Sequence, residues 1–545
     1  MSPKTKFLLI SLWLSINAFS QNTPYSLLND ELLNKVNTTY INNPMSTLSK
    51  KPNDLELFNY TFAVSVKDSK LIQSGKWIKS KENEWIWILK IKAGEAKALS
   101  LDFKNLKLNE NDKLYIYNKQ NNVFNISDIN IDITDTYQSD FFTGDNLTVE
   151  FDPVSNDTLN NFTSKITVNY AYKDVNNINS LGFGASDLCQ INANCNEEEN
   201  FDPEKNAVVR IQTRKSTKGS TYFGWCTGTI IANTSKDNTQ YLITADHCYS
   251  FLIDGQYEGA SEEDLENWEF YFNYESPTCE NPNEEGDLNK NRLTGAIYKA
   301  NSGMAGDTDS DFCLLELTTP FPEEYQVFWA GWDNSDIASP SGYSYHHPSA
   351  DIKKINTYSK PLTSSQFDSR GPENTHWEVL WETGATEGGS SGSPLFNPMG
   401  QVVGVLTGGA SSCSSIMKND YFGKISYSWE YEPENNSQLK YWLDPANTGI
   451  EQMLGYDSNG VTKSLHFEDN IKIISNPITN GTLDFGKINP QLLNEVLVYD
   501  IKGGLVYKTT NPNNTKFRLH LRRGVYIVRT IYNTVVSVNM IVFSE

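Results

Sequence analysis

Residues 387–396 read EGGSSGSPLF, two serines inside a run of glycines that passes at once into a proline and an apolar pair. Glycine loses more conformational freedom on folding than any other residue, so a run of them calls for a reason. A G-S-S-G run alone reads as a surface loop, but a solvated linker has no reason to lead directly into a buried strand. The pattern suits a turn in which small residues let consecutive backbone N–H groups face one point, where an oxyanion can be stabilised. A serine hydroxyl beside such a turn becomes a nucleophile once a base takes its proton.

Working outward, YLITADHCYS (241–250) supplies His247 at the end of an apolar run, next to Cys248. GWCTGTII (224–231) places Cys226 on an expected neighbouring strand, where a Cys226–Cys248 bridge would clamp the histidine's loop. The imidazole in turn needs a carboxylate to hold its tautomer and stabilise the imidazolium. DTDSDFCLLEL (307–317) offers Asp307, Asp309 and Asp311. Asp311 abuts the apolar run and is expected to point inward, with Asp307 and Asp309 on a solvated loop. Asp246 adjoins His247, and neighbours on an extended chain diverge, so it is expected to be a supporting or exposed group.

The chain bounds these readings. Its 545 residues suggest three or four domains of ordinary size. The 38% hydrophobic and 12% aromatic content fits folded, β-rich domains, and no stretch past the N-terminus approaches a membrane span. A formal charge of -22 opposes nucleic acid and anionic lipid as partners. The opening MSPKTKFLLISLWLSINAFSQ reads as a secretory signal over 1–20. Export permits disulfides, and all seven cysteines fall between Cys189 and Cys413, leaving one thiol over.

Four regions follow. After the signal, 21–183 carries strand-like runs such as EWIWILKIKAG and LTVEFDP between Asn-rich turns, a β-rich domain without cysteine. The cysteine-bearing region spans 184–458. A polar linker and a compact β-sandwich make up 459–545. The expected class is mostly β throughout.

The order His247, Asp311, Ser391 within TADHC, DFCLLEL and GGSSGSP resembles the chymotrypsin-like serine proteases, and more closely the bacterial lysyl endopeptidases. Collinear likeness extends over nearly all of 184–458, through CQINANC, VFWAGWDN, YHHPSADIKKI, LTGGASSC, NDYFGKI and WLDPANTG. The resemblance implies a double six-stranded β-barrel and a serine endopeptidase acting on protein or peptide substrates, without cofactor or metal. It implies Ser391 as nucleophile, with the amides of Gly389 and Ser391 as the oxyanion hole. It also implies the pairs Cys189–Cys413, Cys195–Cys279 and Cys226–Cys248, where six cysteines by themselves allow fifteen pairings, and leaves Cys313 as a buried free thiol.

Substrate choice follows the same resemblance. The aspartate that trypsin-type enzymes carry six residues before the nucleophile is replaced by Ala385, whereas the lysyl endopeptidase pocket aspartate matches Asp420. A buried carboxylate there is expected to select a basic residue, lysine or arginine, on the acyl side. Thr407, Gly408 and Gly409 offer the substrate backbone an edge strand. Two departures stand out: Thr407 occupies the place of the family's histidine, and no tryptophan stands near 367–369, where that histidine's stacking partner is expected. His346 and His347 diverge as strand neighbours and suggest no metal, and the acidic runs NEEEN and NPNEEGD read as solvated loops.

Residues 21–183 take the place of the family's propeptide, with processing expected after Lys173 or nearer Gly184. SNPITNGTL, VYDIKGGLVYK, LRRGVYIVRT and VNMIVF resemble the sorting domain of the bacterial type IX secretion pathway. That resemblance implies the type IX machinery as a partner and passage through the periplasm to the cell surface or medium. The opposing readings are a catalytically inactive, protease-like adhesin and a glutamyl-specific endopeptidase, the latter opposed by Asp420.

Overall fold

The computed structural model describes most of residues 24–544. Residues 1–23 lie outside the description, as do, within the chain, chiefly 45–60, 126–135, 155–163, 173–181, 196–201, 303–308, 368–371 and 461–472. The signal segment 1–20, Lys173, the NEEEN run, Asp307 and most of the linker therefore fall outside the described residues. Strands dominate. Among the described residues no helix is long and apolar enough to cross a membrane.

The N-terminal region is built from β1 (Thr38–Ile41), β2 (Thr61–Val66), β3 (Trp85–Ala93), β4 (Ala98–Lys104), β5 (Lys113–Tyr117), β6 (Asn146–Asp152) and β7 (Lys165–Ala171). One sheet runs β1-β3-β6-β5, with β1 parallel to β3 and the rest antiparallel. The second begins β2-β7-β4. Leu89, Ile91, Leu99, Leu101, Phe103, Val149 and Val168 fill the core between them. β4 is buried at six of its seven positions, as expected of a strand covered on both faces.

The cysteine-bearing region contributes β8 (Val208–Thr217), β9 (Ser220–Ile230), β10 (Tyr241–Ala245), β11 (Glu269–Tyr271) and β12 (Phe312–Leu317), paired antiparallel as β11-β8-β9-β10-β12. A second antiparallel sheet combines β13 (Gly342–His346), β14 (His376–Leu380), β15 (Pro394–Phe396), β16 (Gln401–Gly409) and β17 (Asn419–Lys424) in the order β13-β15-β16-β17-β14. One continuous core holds both, including Leu242, Trp268, Leu314, Trp332, Phe396 and Val405. The pairings among the described strands follow open paths and draw no closed barrel.

The sequence reading treats 21–183 and 184–458 as separate modules, yet one sheet runs through both. β2 pairs antiparallel with β9, Val64 opposite Tyr222 and Ala63 opposite Phe223, so the N-terminal β2-β7-β4 ladder continues into the cysteine-bearing sheet. Edge strands carry unpaired N–H and C=O groups, and this junction satisfies two such edges at once.

The last region forms its own core. β18 (Leu493–Asp500), β19 (Leu505–Thr510), β20 (Gly524–Tyr532) and β21 (Val535–Phe543) pair as β19-β18-β20-β21. A two-stranded ladder of Thr482–Asp484 with Lys516–Arg518 packs against them around Leu483, Val496, Phe517, Val528 and Phe543.

Candidate active site

The end of the β10–β12 ladder builds the first part of the site. Ala245 faces Phe312 in the register, and one step further Asp246 donates its backbone N–H to the Asp311 carbonyl at 2.9 Å. The chain then turns into a short helix, Asp246–Tyr249, which carries His247 over the ladder's end. Asp311 is fully buried and sits at φ +55°, a left-handed conformation that aspartate tolerates better than most residues. Its two oxygens divide their work. Oδ1 accepts the His247 backbone N–H at 2.9 Å, and Oδ2 accepts Nδ1–H of the same imidazole at 2.7 Å. The Nδ1–H bond to a carboxylate fixes the tautomer in which Nε2 is the unprotonated nitrogen.

The glycine-rich turn is braced from both sides. The Ser391 carbonyl accepts the Thr227 N–H at 2.8 Å, Thr227 Oγ1 donates to the Gly389 carbonyl at 2.8 Å, and Gly392 N–H donates to Leu406 at 2.9 Å. Gly389 and Gly392 are at φ +97° and +84°. A Cβ on Gly392 would come within 2.2 Å of Thr244 Oγ1 and 2.9 Å of the Ala245 amide, so the turn lies flush against the strand that leads to His247. The Cys226–Cys248 disulfide closes the same corner, with Cys248 Sγ 3.9 Å from the Ser391 carbonyl. Among the described residues no hydrogen bond joins Ser391 Oγ to His247; what sets the turn beside this stretch of chain is the contact of Cys248, the residue after His247, with the Ser391 carbonyl.

The two serines have different surroundings. Ser390 is fully buried; its hydroxyl accepts the Glu387 N–H at 3.1 Å and lies 2.8 Å from His346 Nδ1. His346 is buried too, its second nitrogen 3.1 Å from Asn356 Oδ1, and burial pushes its pKa down to about 3. Ser391 remains partly exposed. The Ser390 and Gly392 amides are bonded within the fold, whereas those of Gly389 and Ser391 have no partner among the described residues.

With this geometry in place, two likenesses bear on it. Residues 183–423 match the family model described as lysyl endopeptidase, C-terminal domain. The chain is lysyl endopeptidase-like here. The lysyl endopeptidase of Pseudomonas aeruginosa is 29% identical over 323 residues, which make up 56% of this chain and 64% of that protein.

In this lysyl endopeptidase-like region Asp420 lies on β17, between Val379 of β14 and Gly409 of β16, and is fully buried. Its Oδ2 accepts from Trp381 Nε1 at 2.7 Å, Thr386 Oγ1 at 2.8 Å and Ser411 Oγ at 2.6 Å; Oδ1 takes the Ser411 N–H at 3.3 Å. Three donors on one oxygen orient the carboxylate and leave the other with a single long bond. Gly409 is required beside it, because a Cβ there would stand 2.2 Å from Oδ1. Trp381, Thr386 and Ser411 carry no sequence signature of their own, since what recruits them is convergence on Asp420.

Thr407 bonds an imidazole that the sequence reading missed. His376 Nε2 lies 3.0 Å from Thr407 Oγ1, and Nδ1 lies 2.8 Å from Thr375 Oγ1. Burial lowers the His376 pKa to about 4, against a raising effect of the Asp311 charge. Phe367 stands where no tryptophan was found, its ring centroid 6.0 Å from that of His376 and its edge 3.6 Å from the position of a Gly408 Cβ. A histidine with an aromatic neighbour is thus present beside Thr407 and Gly408, supplied by a different strand.

One expectation is corrected: Asp309 is buried rather than solvated and accepts the Tyr431 hydroxyl at 2.5 Å. Of the two alternatives for Asp246 the structure shows the supporting one: it is buried, accepting from Ser250 Oγ at 2.9 Å and Asn301 Nδ2 at 2.7 Å, which anchors the helical turn under His247. The disulfides are Cys189–Cys413, Cys195–Cys279 and Cys226–Cys248, and Cys313 is free and buried. His347 is buried, with Nδ1 2.9 Å from the Asp351 carbonyl, and serves the turn behind Gly389.

Proposed function

We propose that this chain is a secreted serine endopeptidase that cleaves polypeptides after a basic residue, lysine before arginine. The observation that carries the reading is Asp311 holding His247 by both its backbone and its ring, beside a braced turn whose Gly389 and Ser391 amides have no partner among the described residues. In this reading His247 Nε2 takes the Ser391 proton as Oγ attacks the substrate carbonyl. The oxyanion settles on the two amides. His247 then gives its proton to the departing amine, and a water, deprotonated by the same imidazole, releases the acyl group. The substrate backbone lies along Thr407–Gly409, and its lysine ammonium reaches toward Asp420.

The double-barrel architecture and the division at 184 and 458 belong to the same reading, as does the role of 21–183 as a propeptide. The C-terminal sheet is read as a type IX sorting domain on its sequence motifs, which places the enzyme outside the cell after passage through the periplasm. Labelling with a fluorophosphonate tests the core claim: modification of Ser391 that is abolished in Ser391→Ala supports it, and a silent Ser391 in the processed protein means an inactive binder. Peptides with lysine, arginine or glutamate before the scissile bond test the pocket, and preference for glutamate overturns it.

A further inference from the structure

The junction between β2 and β9 lies close to the proposed nucleophile. Ser391 sits between two strands, with Gly392 and Ser393 bonded to Leu406 of β16 on one side and Ser391 itself bonded to Thr227 of β9 on the other. If the acyl side of a substrate runs along β16, its leaving-group side must depart past β9. Residues Tyr222–Gly224 of β9, three to five positions before Thr227, are the ones that β2 pairs with. At about 3.3 Å per residue, Gly224 lies about 10 Å along the strand from Thr227, the span of about three residues of an extended substrate.

The contact is well built. Phe62 of β2 stacks on Trp225 with centroids 5.4 Å apart and planes 10° from parallel, and Phe141 meets Phe223 edge-on at 5.8 Å. The Thr221 N–H donates to Ser65 Oγ at 3.1 Å. Arg214 and Asp102 form a buried ion pair across the boundary at 2.8 Å, and Asn169 Nδ2 donates to the second Asp102 oxygen at 2.7 Å. Removing the N-terminal region would uncover aromatic surface together with an unpaired strand edge, which suits an added strand with apolar side chains.

We propose that the Tyr222–Trp225 edge of β9 binds the leaving-group side of polypeptide substrates as an added strand, and that β2 occupies this edge until the N-terminal region is removed. The proposal rests on the reading of Ser391 as nucleophile and of β16 as the acyl-side edge. It names the substrate as an extended polypeptide with an apolar or aromatic residue about three positions beyond the scissile bond, where Phe62 now lies. It also makes inhibition by the N-terminal region selective, because short reporters that end in a small leaving group never reach β9.

The test compares the full chain with the same chain cut by an unrelated protease at a site inserted within 173–181 and freed of its N-terminal part. The substrates are a lysine p-nitroanilide and a lysine peptide with six residues after the scissile bond. Cutting is expected to raise kcat/KM for the long peptide at least tenfold and to change that for the anilide less than threefold. Phe62→Ala in the uncut chain should move the long peptide part of the way. The same pair of forms in Ser391→Ala provides a readout that needs no catalysis: the long peptide should bind at least tenfold tighter after cutting, and a lysine amide lacking those residues should bind equally to both. Equal changes for long and short ligands, or none, overturn the proposal. Failure of Ser391 to take a fluorophosphonate overturns the catalytic reading separately, and the binding comparison still decides this one.

Discussion

Asp311 binds His247 twice, Oδ1 to the backbone N–H at 2.9 Å and Oδ2 to Nδ1 at 2.7 Å, so one carboxylate fixes both where the imidazole sits and which nitrogen faces outward. Asp311→Asn presents an N–H to one of these donors and favours the wrong tautomer. It is expected to lower kcat at neutral pH by about 10⁴ with KM little changed. A loss below tenfold would show that Asp311 does not serve His247 in catalysis.

The two adjacent serines separate by substitution. Ser390→Ala removes the hydroxyl shared by His346 and the Glu387 amide, costing about 1–3 kcal/mol of stability as buried polar groups lose a partner. Fluorophosphonate labelling should persist in that variant and vanish in Ser391→Ala. Mass spectrometry of the labelled peptide checks both, and label on Ser390 would reverse the assignment.

Asp420→Asn keeps the shape of the pocket and removes its charge. A charge-assisted hydrogen bond contributes about 1.5–3 kcal/mol. The expected loss in kcat/KM for lysine substrates is therefore about ten- to hundredfold, with substrates carrying an uncharged side chain nearly unaffected. An equal loss for both classes would mean that Asp420 only supports the turn around Trp381, Thr386 and Ser411.

His376 links stability to pH. Burial lowers its pKa from 6.5 to about 4, so between these values the unfolded chain binds a proton that the folded chain refuses. The folded state should be at full strength above pH about 6.5 and lose up to about 3 kcal/mol as pH falls toward 4. His346, pushed to about 3, acts in the same direction. Thermal melts from pH 7 to 4 should show a shallower decline for His376→Gln than for the native chain, and identical slopes would exclude the effect.

The Cys226–Cys248 bridge joins residues 22 apart in sequence, beside His247. Loop-closure entropy for that span amounts to about 3 kcal/mol. Replacing both cysteines by serine should cost stability of that order and lower kcat, because the helical turn under His247 loses its tie to β9. Denaturant titration with parallel kinetics distinguishes the two losses. Unchanged kcat in the folded variant would show that Asp246, Ser250 and Asn301 anchor the turn alone.

The spacing of motifs makes much of this site readable in one dimension. His247 follows an apolar strand, Asp311 precedes one, and the glycines around Ser391 mark a turn with amides to spare, because each of these features is local to a few residues. The choice among Asp307, Asp309 and Asp311 was legible in part: adjacency to the apolar run points to Asp311, but Asp309 is buried as well, held by a tyrosine 122 residues away. No local pattern could announce His376 beside Thr407, or Trp381 and Thr386 on Asp420, since those contacts join different strands and loops.

Sequence alone determined that the chain is mostly β and that its cysteines are confined to one region, because periodicity, composition and spacing are properties of the chain itself; the order of His247, Asp311 and Ser391 was legible there as a resemblance to the chymotrypsin-like proteases. Only the tertiary structure decided that β2 completes the sheet beside Trp225 and crosses the expected boundary at 184. Strand pairing depends on which unsatisfied edges meet in space, and an edge has no identity until the sheet around it has formed.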